Sequence, residues 1–202
     1  MYQLHSDDQN LHFEGNFTEA TQQQQLPIFG LLLHAFWNQN LPPIKIRTKA
    51  TSPKGAGLGG SSSLAIAIAS PLHKARNQYG SKKSLIEGEL LNCVSNVESR
   101  LIETPTGCQD YWAALRGGIN IIRFPFEGPT VKTMQDNLDN LNDLVTIVYS
   151  GASRQSAINN WDIFKRFYDG PSELRSTITR IGAVAAQCAE AVEKNCWATA
   201  LE

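Results

Sequence analysis

"PKGAGLGGSSSLAIAIAS", Pro53 to Ser70, sets four glycines and an alanine ahead of three serines and then turns apolar. A glycine-rich turn lets backbone approach a ligand without Cβ interference, and a helix starting behind it aims unpaired N–H groups at whatever sits there. The helix dipole adds partial positive charge at that end, so phosphate is the favoured occupant, with the serine hydroxyls free to bond it or a phosphate-bound metal. Two phosphate loops are excluded. The Walker A pattern needs Lys and then Ser or Thr after its last glycine, whereas Gly60 is followed directly by Ser61. Gly55, Gly57 and Gly60 do satisfy G-x-G-x-x-G, but nothing acidic lies about twenty residues on to hold a ribose, Ser81 to Ser84 being "SKKS". By itself the loop also reads as a tight strand-to-helix turn with a serine cap.

Composition narrows the partners. The 202 residues suit one large domain or one and a half ordinary ones, and 42% hydrophobic content is enough for a core. A net charge of −1, with no basic stripe and no interleaved aromatics, gives no footprint for nucleic acid. Cys93, Cys108, Cys188 and Cys196 form no C-x-x-C pair, and His5, His12, His34 and His73 are scattered, so neither zinc nor a disulfide framework is signalled; reduced cytoplasmic thiols are expected. "LPIFGLLLHAFW", Leu26 to Trp37, is too short to span a bilayer and no charged leader precedes it, so it reads as a buried helix and no membrane partner is expected.

Along the chain, the opening "MYQLHSDDQNLHFEGNF" is weakly patterned and carries no chemistry, and the run Gln22 to Gln25 reads as a helix start. "IKIRTKA", Ile44 to Ala50, alternates as a strand with one buried face. A helix from Ser61 to Tyr79 follows the loop, with a kink or break predicted at Pro71. "SLIE" from Ser84 reads as a capping box with Glu87 reaching back, opening a helix through Leu90, Leu91 and Val94 toward Leu101 with Glu98 in its last turns. Pro105 and Gly107 break that helix, so Asp110 emerges at the start of the next element. "GGINIIRF" and "LVTIVYS" read as strands, and the chain beyond Gly151 as helical. No internal repeat is present.

A phosphate loop with serines, a helical glutamate and a turn-borne aspartate are parts a phosphotransferase needs, and magnesium accepts few protein oxygens beside substrate phosphates. Taken singly, Asp110 reads more readily as a turn aspartate capping a helix, and Glu98 as a solvated helix residue. Their joint spacing behind the loop favours a site. The loop resembles the second motif of the GHMP kinases (galactokinase, homoserine, mevalonate and phosphomevalonate kinases): a proline, a spacer, then Gly-Leu-Gly-Ser-Ser-Ala. Pro53, Gly57-Leu58-Gly59 and Gly60-Ser61-Ser62 match it, with Gly60 where the family has its first serine. "VESRLIETPTGCQDYWAALRGGINII" is similar to the stretch carrying the family's metal-binding glutamate and catalytic aspartate, Glu98 and Asp110 lying twelve residues apart. The G-x-Q-D wording is closest to sugar kinases of the heptose 7-phosphate kinase type, and "YSGASRQSAINNW" resembles the start of their second domain.

The resemblance implies an α+β, two-domain kinase fold, with a ribosomal-protein-like ATP-binding domain over residues 1–142 lacking its first strands and the beginning of a ferredoxin-like domain over 143–202. It implies that Pro53, Gly55, Ala56, Gly57, Leu58, Gly59, Gly60, Ser61 and Ser62 wrap the phosphates of ATP, that Ser61 and Glu98 hold Mg2+, and that Asp110 orients or deprotonates the acceptor hydroxyl. Thr106 and Gln109 flank Asp110 as candidate substrate contacts. The expected activity is ATP-dependent phosphorylation of a sugar or sugar phosphate in carbohydrate metabolism; a mevalonate- or homoserine-type alcohol kinase and a non-catalytic homologue are the alternatives.

The chain also departs from the family pattern. The first motif has no match before Pro53, the glycine-rich third motif is absent, and Tyr111 replaces the glutamine that often follows the aspartate. The fold is therefore expected to be incomplete at both ends, with weak nucleotide binding, little turnover, and exposed apolar residues such as Ile158, Trp161, Phe164 and Val184 favouring self-association.

Overall fold

Tyr2, Leu4 and Ser6 are buried while Gln3 and His5 are half-buried, the period of two that makes a strand. The computed structural model describes residues 1–53, 55–80, 84–134, 143–152, 158–170 and 172–201, the side chains of 158–161, 172 and 201 excepted. In it β1 (Tyr2–Ser6) pairs antiparallel with β2 (Leu11–Gly15), Leu4 opposite Phe13, and parallel with β3 (Lys45–Thr48), Leu4 opposite Ile46, giving the order β2-β1-β3. The amino-terminal hairpin was not anticipated from the polar opening. Its turn fixes the approach to the glycine loop: Arg47 Nε donates to the Asp7 carboxylate at 2.9 Å, and the Ala50 amide donates to Asp8 at 3.0 Å. That amide holds the Asp8 carboxyl below its ordinary value.

Helix α1 (Phe17–Gln22) starts at a reciprocal cap, the Glu19 amide donating to Asn16 Oδ1 at 3.0 Å and the Asn16 amide to Glu19 Oε2 at 2.8 Å. The glutamine run therefore ends a helix instead of starting one: Gln23 is extended, and its carboxamide oxygen accepts from the Leu26 amide at 2.6 Å. Pro27, at the first position of α2 (Pro27–Phe36), needs no amide partner there. Helix α2 is the buried helix expected, placing Phe29, Leu32, Leu33 and Phe36 in the core.

Helix α3 (Gly60–Gln78) passes through Pro71 without the predicted break. Pro71 and Ala67, whose carbonyl loses its helical donor, both lie on the exposed side, open to water. On the opposite side Ala65, Ile66, Ile68, Ala69 and Leu72 are buried. Helix α4 (Glu87–Ile102) begins two residues later than a Ser84 cap would set it: Glu89 accepts from the Ile86 amide at 3.0 Å, while Ser84 Oγ accepts from Asn77 at 3.2 Å. It closes on Glu103, left-handed at φ 55°, with the Thr104 amide donating to the Ser99 carbonyl at 3.2 Å. Helix α5 (Gln109–Arg116) follows, and Arg116 donates to Glu87 Oε2 at 2.6 Å, tying its end to the start of α4.

The chain divides into two units, Met1–Gly117 with Val148–Gln155, and Gly118–Ile147 with Ser156–Glu202. The second holds the hairpin β4 (Ile119–Arg123) and β5 (Thr130–Met134) and the helices α6 (Ile158–Asp169), α7 (Ser172–Glu193) and α8 (Trp197–Leu201). Glu193 accepts from Lys132 at 3.1 Å and lies 3.6 Å from Arg123, which joins the hairpin to the end of α7. Phe164 and Val184 are exposed, at 58% and 63%; the side chains of Ile158 and Trp161 lie outside the described residues. "LVTIVYS" is not a strand: Leu144 is helical and Val145–Ser150 irregular, and among the described residues no strand pairs with it. A strand without a ladder partner leaves its amides unpaired. The fold is α+β. All four cysteines are free, and among the described residues no helix is long and apolar enough to cross a membrane.

Candidate active site

The loop delivers its glycines in the conformation only they adopt cheaply, Gly55, Gly57 and Gly59 having φ of 73°, 76° and 64°. Pro53 and Leu58 are exposed and Ala56 half-buried, and the Ala56 amide donates to the Pro53 carbonyl at 3.3 Å. Gly59 is the cap residue of α3 and has no side chain to offer, so the amides of Gly60, Ser61 and Ser62 begin the helix without an intrahelical acceptor. Such an end suits an anion.

Two carboxylates meet this end of α3, one from each of the next two helices. Glu98 is 6% exposed, buried on α4 and not solvated. Its Oε1 accepts from Ser61 Oγ, and its Oε2 accepts from Ser62 Oγ at 3.4 Å and from the Tyr111 hydroxyl at 2.6 Å. Three hydroxyl donors and the dipole of α3 offset the cost of burying this charge. Asp110, exposed in the first turn of α5, abuts the loop: a Cβ built on Gly59 would lie 3.0 Å from Asp110 Cβ.

Thr106 and Gln109 behave differently. The Thr106 hydroxyl is half-buried, 3.2 Å from the Tyr111 hydroxyl and 3.4 Å from Ser99 Oγ, while its amide donates to Ser99 Oγ at 3.3 Å. Gln109 is exposed and folds over Gly107, where a Cβ would collide with its carboxamide.

Tyr111, which the sequence shows only as a departure from the family pattern, is part of the site through its bond to Glu98. It is fully buried, and burial together with the carboxylate it donates to pushes its hydroxyl up to about 12, so it stays protonated. The available signal was an aromatic pair, Tyr111-Trp112, directly after the aspartate, because a buried tyrosine needs a partner for its hydroxyl. Cys108, just before α5, has a thiol raised by burial, which makes it a poor nucleophile. Behind the loop, His73 of α3 is buried against Phe36, and its Nε2 accepts from the Leu85 amide at 3.2 Å. Burial lowers its pKa, with nearby Arg76 acting in the same direction.

Among the described residues no cluster of three or more His, Cys, Asp or Glu side chains could hold a metal. The donors present are hard oxygens, with Ser61 Oγ and Glu98 Oε1 side by side. That set fits a cation such as Mg2+, which takes one or two protein ligands and completes its shell with phosphate and water.

No curated protein matches the chain. Residues 27–118 match the family model described as the GHMP kinases N terminal domain. The matched span opens on the first residue of α2 and runs to the glycine pair before β4, so it takes in the glycine loop, Glu98 and Asp110. That match supports membership of the GHMP kinase superfamily.

Proposed function

We propose that the chain transfers the γ-phosphoryl group of ATP to a hydroxyl of a sugar or sugar phosphate. The observation that carries the reading is the convergence on one helix end of the open amides of α3, the Ser61–Glu98 pair and Asp110. In this reading the loop from Gly55 to Ser62 binds the phosphates through its amides, and Ser61 and Glu98 hold Mg2+, which when bound neutralises charge on the phosphate oxygens. The acceptor oxygen forms a bond to the γ-phosphorus as the bond to the β–γ bridging oxygen breaks. ADP leaves, and Asp110 takes the hydroxyl proton or fixes the hydroxyl in line.

The sugar assignment is supported by the resemblance of the Gly107–Gly118 stretch to the heptose 7-phosphate kinase type. The test is ADP release with free sugars, sugar phosphates, mevalonate and homoserine. Magnesium-dependent release with a sugar or sugar phosphate is expected. Release with mevalonate or homoserine alone overturns the sugar assignment. A thermal shift with magnesium-ATP but no release with any acceptor points to a nucleotide-binding homologue without turnover. With neither shift nor release, the kinase reading fails.

A further inference from the structure

The Tyr111 hydroxyl has one proton and two oxygens within reach, Glu98 Oε2 at 2.6 Å and Thr106 Oγ1 at 3.2 Å. A carboxylate can only accept, and the shorter contact is to it, so the phenol proton goes to Glu98. The Thr106 hydroxyl is then left to donate to the Tyr111 oxygen, and Thr106 Oγ1 in turn accepts from Ser99 Oγ, 3.4 Å away. Ser99 Oγ is itself fixed by the Thr106 amide at 3.3 Å. The result is a one-way run of hydroxyls, Ser99 to Thr106 to Tyr111, ending on one oxygen of the buried glutamate. Hydroxyls aligned in this way polarise one another.

The two oxygens of Glu98 are thereby given different tasks. Oε2 is anchored from below by Tyr111, with Ser62 at a longer 3.4 Å; Oε1 faces Ser61 at the start of α3. Tyr111 reaches this position because α5 restarts seven residues after α4 ends, and its ring is fully buried there. We propose that Tyr111 is a positioning residue for the metal site: its hydroxyl, ordered by Thr106 and Ser99, holds Glu98 by Oε2 and so presents Oε1 beside Ser61 to the nucleotide-bound cation. This rests on the kinase reading above. It also gives Thr106 a task inside the fold in place of the substrate contact considered for it, and it accounts for a tyrosine where the resembling kinases often have glutamine. Either side chain can donate to a carboxylate, but the phenol does so from a rigid ring.

The test separates metal from nucleotide. ATP affinity of the full chain is measured in excess EDTA and in excess Mg2+, and the ratio of the two dissociation constants is the readout. For Tyr111→Phe the ratio should fall about tenfold, the usual scale for a partner behind a metal ligand, with affinity in EDTA unchanged. Thr106→Val, which keeps the tyrosine but removes the hydroxyl that orders it, should lower the ratio by less, and it decides the matter if Tyr111→Phe does not fold. An unchanged ratio in the folded variants overturns the proposal, as does equal loss of affinity with and without metal, since that is packing damage. If the wild-type chain itself shows no metal-dependent ATP binding, the kinase reading falls and this one falls with it.

Discussion

Gly59 and Asp110 stand back to face, with a Cβ on Gly59 falling 3.0 Å from both Cβ and Cγ of the aspartate. The backbone at Gly59 is left-handed, φ 64°, so a side chain there is strained as well as crowded. Asp110 is exposed and can yield by a few tenths of an ångström, which spares the fold but misplaces the carboxylate. Gly59→Ala should therefore cost about 1–2 kcal/mol of stability, and should lower turnover by about tenfold or more beyond what unfolding explains. Thermal denaturation beside kcat at a temperature where the variant is fully folded separates the two effects. Wild-type kcat in a folded variant would show that the contact is idle.

Its neighbour should respond in the opposite direction. In the first turn of α3, a Cβ on Gly60 would meet, among the described residues, only Ser52 Oγ, at an ordinary 3.6 Å. Since nothing requires glycine there, Gly60→Ala should stabilise the protein by about 0.4–1 kcal/mol through lost freedom of the unfolded chain. A melting temperature below wild type contradicts this account of the loop.

Glu98→Gln keeps the shape of a buried side chain and removes its charge. The carboxamide oxygen can still accept from Tyr111, while the amide nitrogen has nothing to offer a cation. The expected outcome is a folded protein that binds ATP in EDTA as wild type does and gains about tenfold less, or worse, on adding Mg2+. Calorimetric titration under the two conditions checks it; an undiminished magnesium effect would remove Glu98 from the metal site.

Asp110→Asn addresses the chemistry alone. The side chain faces solvent beside the loop and makes no contribution to the hydroxyl network around Glu98. Magnesium-dependent ATP binding should persist, while kcat falls by about 10²–10⁴ as the proton acceptor or orienting charge is lost. Parallel loss of nucleotide affinity would mean instead that Asp110 acts in binding.

The spacing of glycines before an apolar run, and of Pro105 and Gly107 before Asp110, made the loop, the helix behind it and the start of α5 legible in the sequence, because local backbone chemistry decides those features; Glu98 was singled out only by its spacing from Asp110 and by the family resemblance, its burial being a matter of packing. Other features depended on tertiary contacts. The hairpin of β1 and β2 is a polar segment whose only strong signal is burial of alternate residues. Pro71 is harmless because it faces water, and "LVTIVYS" has strand-like composition but no partner strand among the described residues. Tyr111 shows the same limit at the site: its position after Asp110 was visible, but its hydroxyl reaching back to Glu98 follows from how α3, α4 and α5 pack.

The pH dependence of stability should carry the mark of His73. Its Nε2 accepts from the Leu85 amide at 3.2 Å and lies 3.2 Å from Asn77 Nδ2, so the folded state needs a neutral ring with a lone pair on that nitrogen. Burial against Phe36 and the nearby Arg76 both depress its pKa below the ordinary 6.5. On acidification the unfolded chain therefore takes up a proton first, near pH 6.5, and from there downward the equilibrium shifts toward it. The contribution is fully present above the unfolded value and is lost as pH falls through the folded one. Leu85 leads into α4, so protonation would loosen the segment that sets the start of the helix carrying Glu98. Melting temperatures between pH 8 and pH 5 should fall in the acid limb for wild type and fall less for His73→Gln, whose carboxamide oxygen can accept from Leu85 without titrating. If the two acid limbs have equal slope, His73 does not carry the dependence.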